Sequence, residues 1–463
     1  MNNDFHGKKI LIMGLGLHGG GVGTARFFVA RGARVTVTDL RTKDQLKESI
    51  AKLKEYKKII YVLGRHRKSD FLHADIIIKN PGVLPTSPYL LLARRNNIPV
   101  TTDVGIFLRQ CPATIIGVTG TRGKSTTCFL IFKFLEAFFN THRRGQKPRV
   151  FLGGNIRASV LDFIDMATLR DIVVLELSSF QLDDLAYNSW NNNPAERKSP
   201  HIAVLTNILR DHLNWHADMK SYMTAKATIF KYQKHDDMLF ANGSDRRVKK
   251  IIAHAPSRVR CPRLAKKFLP IVSANLGPHY RSSVALAIGV GTHFHVPETI
   301  MMSIMRVFKG LSGRQEEVGH IKGITFINDT TATIPDASIA AIKRFQCLAR
   351  KSHLILIAGG SDKKLTFSDM AHVIAAWVDH LILLPGTATN QLLGELAKKK
   401  SSKHPRLFSL QKVESMQEAV TAAYACAQRG DYILLSPGAA SFGLFANEFD
   451  RGDKFISAVK DLK

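Results

Sequence analysis

Short apolar, β-branched runs recur along this chain, and each is followed by a glycine-containing or polar turn and then by a helical pattern. That alternation marks parallel sheets, because a parallel neighbour is reached only through a crossover connection, usually a helix. The fold class is therefore α/β. A first group of runs, Lys9–Met13, Arg34–Thr38, Ile59–Leu63, Ile76–Lys79 and the short Ile98–Val100, predicts a small, Rossmann-like nucleotide-binding domain. A second group, Thr114–Val118, Ile172–Leu177, Ile202–Thr206 and Met238–Ala241, predicts a larger middle domain. A third, Ile324–Ile327, Leu354–Ala358, Leu381–Leu384 and Tyr432–Leu435, predicts a second doubly wound, Rossmann-like unit at the C-terminus. A chain of 463 residues exceeds what one hydrophobic core supports. The expected division is 1–110, 111–310 and 311–463, with polar surface loops at 141–149, 188–200 and 398–404.

Composition removes several functional classes. A hydrophobic content of 45% with 22% charged residues belongs to a folded globular chain rather than a disordered or fibrous one. The polar start runs straight into Ile10–Met13, too short an apolar stretch for a signal segment or a membrane span. The most apolar stretch, Cys128–Phe139, is interrupted by Lys133 and Glu136 and suits a buried helix. The expectation is a cytoplasmic protein with no membrane partner. Five cysteines without Cys-x-x-Cys spacing fit neither a disulfide framework nor a zinc site. A net charge of +29 raises the question of a polyanion partner. The basic residues are spread over the whole chain, with only short clusters such as Arg143-Arg144 and Lys398–Lys400. A solvated basic surface is expected, and no nucleic-acid partner.

Two glycine motifs carry chemistry. Gly14-Leu15-Gly16-Leu17-His18-Gly19 follows a predicted strand and opens a helix, and Asp39 ends the next strand. This satisfies the dinucleotide fingerprint. Its physical content is a tight turn and a helix N-terminus that favours phosphate, which serves UDP as well as NAD, and a plain strand-to-helix turn is the other reading. Gly117-Val118-Thr119-Gly120-Thr121-Arg122-Gly123-Lys124-Ser125-Thr126-Thr127 lies between a strand and a helix expected to begin near Cys128. Backbone N–H groups of Gly120 to Thr126 are placed to wrap ATP phosphates, Lys124 to add positive charge at the transferred phosphoryl group, and the Ser125 hydroxyl to meet Mg2+.

Val118 stands at the first glycine position of the standard phosphate loop, and the resulting Thr-Gly-Thr-x-Gly-Lys-Ser-Thr resembles the loop of the Mur ligases and of folylpolyglutamate synthetase. Other motifs resemble those of the Mur ligase family, in family order over nearly the whole chain. They are Gly153-Gly154-Asn155-Ile156, Glu176-Leu177-Ser178-Ser179-Phe180-Gln181-Leu182 in the form of the glutamate-adding branch, and Thr206-Asn207-Ile208-Leu209-Arg210-Asp211-His212 followed by Ala225-Lys226. Gly313 to Val318, Asn328-Asp329-Thr330-Thr331-Ala332-Thr333, Gly359 to Lys363 and Ser436 to Phe442 resemble the junction and the loops of the family's C-terminal domain.

The resemblance implies three domains: one for UDP, a central phosphate-loop ATPase, and one that brings the amino acid and closes the site. It implies that Ser125, Glu176, His212 and a carbamylated Lys226 hold Mg2+. Carbamylation would turn a cation that repels the metal into an anionic oxygen ligand. Without the resemblance Glu176 reads as a strand-end charge and His212 as a structural loop residue. Arg314 and Asp329 would reach ATP after domain closure. Leu15, Gly16, Asp39, Asn80, Asn155, Ser178 and Thr333 would contact substrate, and Lys363 and Ser441 the carboxylates of the incoming amino acid. Here a cation and a hydroxyl donor complement a dicarboxylate.

The implied catalytic residues are Lys124, His212, Lys226 and Asp329. The implied reaction is ATP-dependent addition of D-glutamate to UDP-N-acetylmuramoyl-L-alanine through an acyl phosphate, by a monomer. L-glutamate, another amino acid, or a nucleotide-binding protein without catalysis stay open, and a dehydrogenase built on the first glycine motif would leave the other motifs without a role. The chain departs from the family pattern at Arg122, Tyr280, Ser283, Thr331 and Gly443.

Overall fold

A computed structural model describes residues 5–17, 19–141, 147–155, 159–187, 198–213, 215–349, 352–400 and 409–462. His18, Ile156, Arg143-Arg144 and most of the three stretches expected as loops lie outside the described residues. Among the described residues, no helix is long and apolar enough to cross a membrane.

The first compact unit comprises Met1–Ile208, Lys220–Leu264 and Ser282–Ile304. It contains two sheets. β1 (Lys9–Met13), β2 (Arg34–Asp39), β3 (Ile60–Leu63), β4 (Ile76–Lys79) and β5 (Val100–Thr101) form an all-parallel sheet in the order β3-β2-β1-β4-β5. β6 (Thr114–Thr119), β7 (Val150–Gly154), β8 (Ile172–Glu176), β9 (Ile202–Leu205), β10 (Met238–Ala241) and β11 (Arg258–Arg260) form a second, ordered β11-β10-β9-β6-β8-β7 and also parallel. Every residue of β4, β8, β9 and β10 is buried. Crossover helices cover both faces of such sheets, so the strands read as unbroken apolar runs instead of alternating ones.

The second unit comprises Leu209–Met219, Ala265–Arg281 and Met305–Lys463. Its sheet runs β12-β13-β17-β14-β15-β16, from β12 (Glu316–Ile321), β13 (Ile324–Asn328), β14 (Leu354–Gly359), β15 (His380–Leu384), β16 (Ser409–Lys412) and β17 (Tyr432–Leu435). Only β12 is antiparallel to its neighbour. Alternate residues of β14 feed two cores: Leu354, Leu356 and Ala358 pack with Phe345, Met370 and Ile374, while Ile355 and Ile357 pack with Val420, Phe455 and Val459. Two helix layers therefore clamp this sheet from opposite sides.

Three expectations are corrected. The fifth strand is Val100–Thr101 and excludes Ile98-Pro99, since proline cannot donate to the ladder; its carbonyl only accepts from Ile77 N–H, at 2.9 Å. The helix after the phosphate loop starts at Lys124, not near Cys128, because Gly123 at φ 81° ends the loop in the left-handed region. Four strands not expected, β7, β11, β12 and β16, are all sheet edges.

Asp171 anchors the start of β8. Its buried carboxylate accepts from the Arg149 backbone at 2.7 Å and side chain at 2.9 Å, and from the Thr168 N–H and hydroxyl, each at 2.8 Å. Burial alone would raise its pKa, but these donors hold it at about 2, below the ordinary value of 3.8. The stabilisation is complete above pH about 4 and fades as pH falls toward the folded-state value. Asp171→Asn is expected to cost roughly 1–2 kcal/mol near pH 7. In urea titrations the deficit should shrink below about pH 4, and a deficit independent of pH would refute the assignment.

Candidate active site

In the second sheet β6 lies between β8 and β9, and the chain leaves β6 and β9 toward opposite edges. That arrangement opens a crevice at the carboxyl ends of the two strands. The loops after β6 and β9 meet there. Thr121 N–H donates to the Asn207 carbonyl at 2.9 Å, Arg122 N–H to Asn207 Oδ1 at 2.8 Å, and the Thr206 hydroxyl to the Arg122 carbonyl at 2.6 Å. Gly120 sits at φ 145°, and a Cβ there would overlap the Thr206 hydroxyl. A Cβ on Gly123 would strike the Ser283 hydroxyl, so this departure from the family pattern packs directly on the loop.

The helix Lys124–Asn140 then presents the N–H groups of its first turn, including those of Ser125 and the buried Thr126, the part of a helix that suits an anion. Lys124 Nζ folds back to the Thr121 carbonyl at 3.1 Å. The Ser125 hydroxyl donates to Glu176 Oε2, and Asn155 Nδ2 to Glu176 Oε1 at 3.4 Å. Glu176, the last residue of β8, is buried. Lys226 is only 1% exposed; its Nζ donates to the Gly120 carbonyl at 2.8 Å and lies 4.7 Å from the centre of the Tyr222 ring. The Tyr222 hydroxyl is 3.0 Å from Thr121 Oγ1. Among the described residues, no three His, Cys, Asp or Glu side chains gather to hold a metal ion. What the loop gathers is a hydroxyl and a carboxylate, the hard oxygen donors that suit Mg2+.

The first sheet has its own switch point between β1 and β4, where a small cleft is lined by Gly14, Gly20, Lys79, Asn80 and Asp103 among others. Asp39 Oδ2 accepts from Leu15 N–H at 2.9 Å and Gly16 N–H at 3.2 Å, and its Oδ1 from Arg41 N–H at 2.9 Å. The carboxylate thus holds the glycine turn in shape. Asn80 braces the same turn, donating to the Gly14 carbonyl at 3.4 Å and accepting from Gly82 N–H at 3.0 Å. Ser178 caps the helix Ser179–Tyr187 by accepting from Gln181 N–H at 3.2 Å, and its own N–H and hydroxyl donate to Gln181 Oε1, each at 2.9 Å. On that helix the buried Asp184 pairs with the buried Lys79 at 2.7 Å.

In the second unit the loops after β13, β14 and β17 converge at the carboxyl ends of their strands. Asp329 is buried and accepts from Gln315 N–H at 3.2 Å and from the Ser436 hydroxyl at 2.8 Å. Thr331 bonds the Gly313 carbonyl through its hydroxyl at 3.0 Å, fixing the turn that carries the half-buried Arg314. Lys363 Nζ reaches Thr333 Oγ1 at 3.2 Å and Asp211 Oδ1 at 3.5 Å, and Asp211 lies 3.4 Å from His212 Nε2. Ser441 is buried beside Ala440, which bridges to Ser361.

Of the expected metal ligands the structure brings Ser125 to Glu176 and Lys226 to the phosphate loop; His212 belongs to the second unit. The sequence reading quoted Asn207, Asp211 and Ser436 within motifs but gave them no role of their own, and it missed Tyr222. Tyr222 stands four residues before Lys226, one turn away on the same helix face, a spacing that could have exposed it.

Residues 8–102 match the Mur ligase MurD-like N-terminal domain, 118–268 the Mur ligase middle domain, and 313–438 the Mur ligase glutamate ligase domain. The chain is 36% identical to a UDP-N-acetylmuramoylalanine–D-glutamate ligase of Roseiflexus sp. (strain RS-1), over 98% of this chain and 99% of that one. The chain belongs to the Mur ligase family. A second Mur ligase relative, the UDP-N-acetylmuramoylalanine–D-glutamate ligase of Borreliella burgdorferi (strain ATCC 35210 / DSM 4680 / CIP 102532 / B31), is 35% identical over 98% of each chain. The fold also matches that of the MurF ligase from Thermotoga maritima in complex with ADP, with a TM-score of 0.56 at 14% identity, covering 100% of this chain and 97% of that one. The three Mur ligase domains, N-terminal, middle and C-terminal, follow one another as the recurring strand groups predict.

Proposed function

We propose that this Mur ligase joins D-glutamate to UDP-N-acetylmuramoyl-L-alanine with cleavage of ATP to ADP and phosphate, a step of peptidoglycan precursor synthesis. The observation that carries the reading is the phosphate loop tied to Glu176 through Ser125 and to Lys226 through Gly120, in a chain with full-length relatives of that name. The substrate carboxylate attacks the γ-phosphorus, the bond to the bridging oxygen breaks and ADP leaves. The glutamate nitrogen then attacks the acyl phosphate carbon, phosphate departs and a proton leaves the nitrogen.

The chain's own part is positioning and charge neutralisation, which dominate phosphoryl transfer. Gly120 to Thr126 and Lys124 hold the ATP phosphates, with Arg314 and Asp329 as further nucleotide contacts. Leu15, Gly16, Asp39, Asn80, Asn155 and Ser178 bind the UDP substrate. Lys363, Thr333 and Ser441 take the carboxylates of glutamate. Ser125, Glu176, His212 and a carbamylated Lys226 would hold Mg2+, which supplies positive charge to the phosphoryl oxygens when bound. On this reading domains 1–110, 111–310 and 311–463 work as a cytoplasmic monomer on small molecules, without a nucleic-acid or membrane partner.

The test is phosphate release from ATP and Mg2+ with UDP-N-acetylmuramoyl-L-alanine, comparing D-glutamate, L-glutamate and no amino acid. Release dependent on D-glutamate is expected. Dependence on L-glutamate would change the product, and silence with both would remove the ligase reading.

A further inference from the structure

Arg451 is wholly buried, among the largest side chains in the molecule to be so. A guanidinium out of water is costly unless every donor is used well. Here Nη2 donates to the Thr330 carbonyl at 2.7 Å, Nε to the Thr330 hydroxyl at 3.2 Å, and Nη1 to the Ala439 carbonyl at 3.1 Å. The partners are backbone and hydroxyl oxygens of two separate loops, those after β13 and β17. Thr330 in turn donates to the Glu448 carbonyl at 2.6 Å, at the start of the helix Glu448–Lys460 that carries Arg451. Gly452, the next residue, lets Thr330 come close, since a Cβ there would lie 2.7 Å from Thr330 Cγ2.

Thr330 follows Asp329, and Ala439 lies two residues before Ser441. The same rigid fork therefore sets the spacing between the loop proposed for nucleotide and the loop proposed for the amino acid. A packing role alone would be met more cheaply by an apolar side chain of similar volume. Burial lowers the Arg451 pKa to about 10, while Glu448 and Asp329 act to raise it, so the group is still a cation at neutral pH. It adds fixed positive charge behind two loops that would receive anions.

We propose that Arg451 is a positioning residue for the amino-acid half-reaction, holding the loops after β13 and β17 at the separation that D-glutamate binding needs; this rests on the function proposed above.

Two variants test it: Arg451→Lys, which keeps the charge but loses the fork, and Thr330→Val, which removes one of the fork's acceptors at nearly constant volume. Each should raise the KM for D-glutamate about tenfold or more, with the KM for UDP-N-acetylmuramoyl-L-alanine within about twofold. Amide exchange at Asp329–Thr333 and Ser436–Ser441 should quicken about tenfold or more relative to β14. Unchanged exchange in those two loops would overturn the proposal whatever the enzyme does. So would lower thermal stability accompanied by an unmoved glutamate KM. If the wild-type chain releases no phosphate, the ligase reading fails, and the exchange measurement still decides whether Arg451 fixes the loops.

Discussion

Replacing Lys124 by methionine is expected to lower kcat for D-glutamate-dependent phosphate release by about a thousandfold or more, which corresponds to roughly 4 kcal/mol in the barrier. The fold should barely notice. Lys124 is the first residue of its helix, half-buried, with its ammonium 3.1 Å from the Thr121 carbonyl. Losing that bond costs about 1 kcal/mol of stability at most, and methionine keeps the aliphatic stem. The same ammonium facing the triphosphate in a water-poor crevice is worth far more, because it stabilises charge without having to reorganise. Lys124→Arg should fail nearly as badly, since a planar fork does not fit where a compact point charge is required. Single-turnover phosphate release paired with thermal melts checks this. A loss of less than about tenfold in an intact variant would show that Lys124 does not face the transferred group.

The fold was legible wherever strands are covered on both faces. Lys9–Met13, Ile76–Lys79, Met238–Ala241 and Tyr432–Leu435 have the expected bounds, and the other central strands agree within a residue. Most of their residues are buried between helices, so hydrophobicity alone marks them. The strands that escaped are Val150–Gly154, Arg258–Arg260, Glu316–Ile321 and Ser409–Lys412, each the last strand at one edge of its sheet. An edge strand is only half covered, and charge on it discourages pairing with another chain. Arg258-Val259-Arg260 is exposed along its whole length, and no pattern of burial was there to be read.

The site was legible where local spacing fixes geometry. Gly120, Gly123, Lys124 and Ser125 lie within one loop and one helical turn, and such short segments have few ways to arrange themselves. Contacts between loops distant in sequence were not. Asp39, read as a substrate contact, spends one carboxylate oxygen on the glycine turn, which only the pairing of β1 with β2 brings beside it, and the other on the Arg41 N–H. Lys363 and Asp211 are separated by the whole of β10 to β14, and only the folded chain reveals that the cation proposed for a glutamate carboxylate has an aspartate for a neighbour. Arg451 drew no notice, because nothing in its local sequence distinguishes a buried guanidinium from a solvated one.

Lys226→Ala is the second large effect expected, with activity down about a thousandfold or more and partial recovery on adding acetate or propionate. The argument begins with solvation. At 1% exposure, an ammonium held by the Gly120 carbonyl and the face of Tyr222 lies against the loop proposed to hold Mg2+ and phosphate. As a cation it would repel the metal. Addition of its neutral amine to CO2, with loss of one proton, makes it a carbamate and reverses the sign of the interaction. Alanine leaves a slot beside Tyr222 long enough for a small carboxylic acid, whose two oxygens can stand where the carbamate's would be. The chemical identity of the rescuing agent is the discriminating result. Rescue by acetate but not by methylammonium means that the lost group was an anionic oxygen donor. Rescue by methylammonium alone means that Lys226 works as the cation seen beside Gly120, and the carbamate assignment falls. Wild-type enzyme provides the independent arm: depletion of bicarbonate should lower its activity reversibly if the carbamate is the working form, and leave it unchanged if the ammonium is.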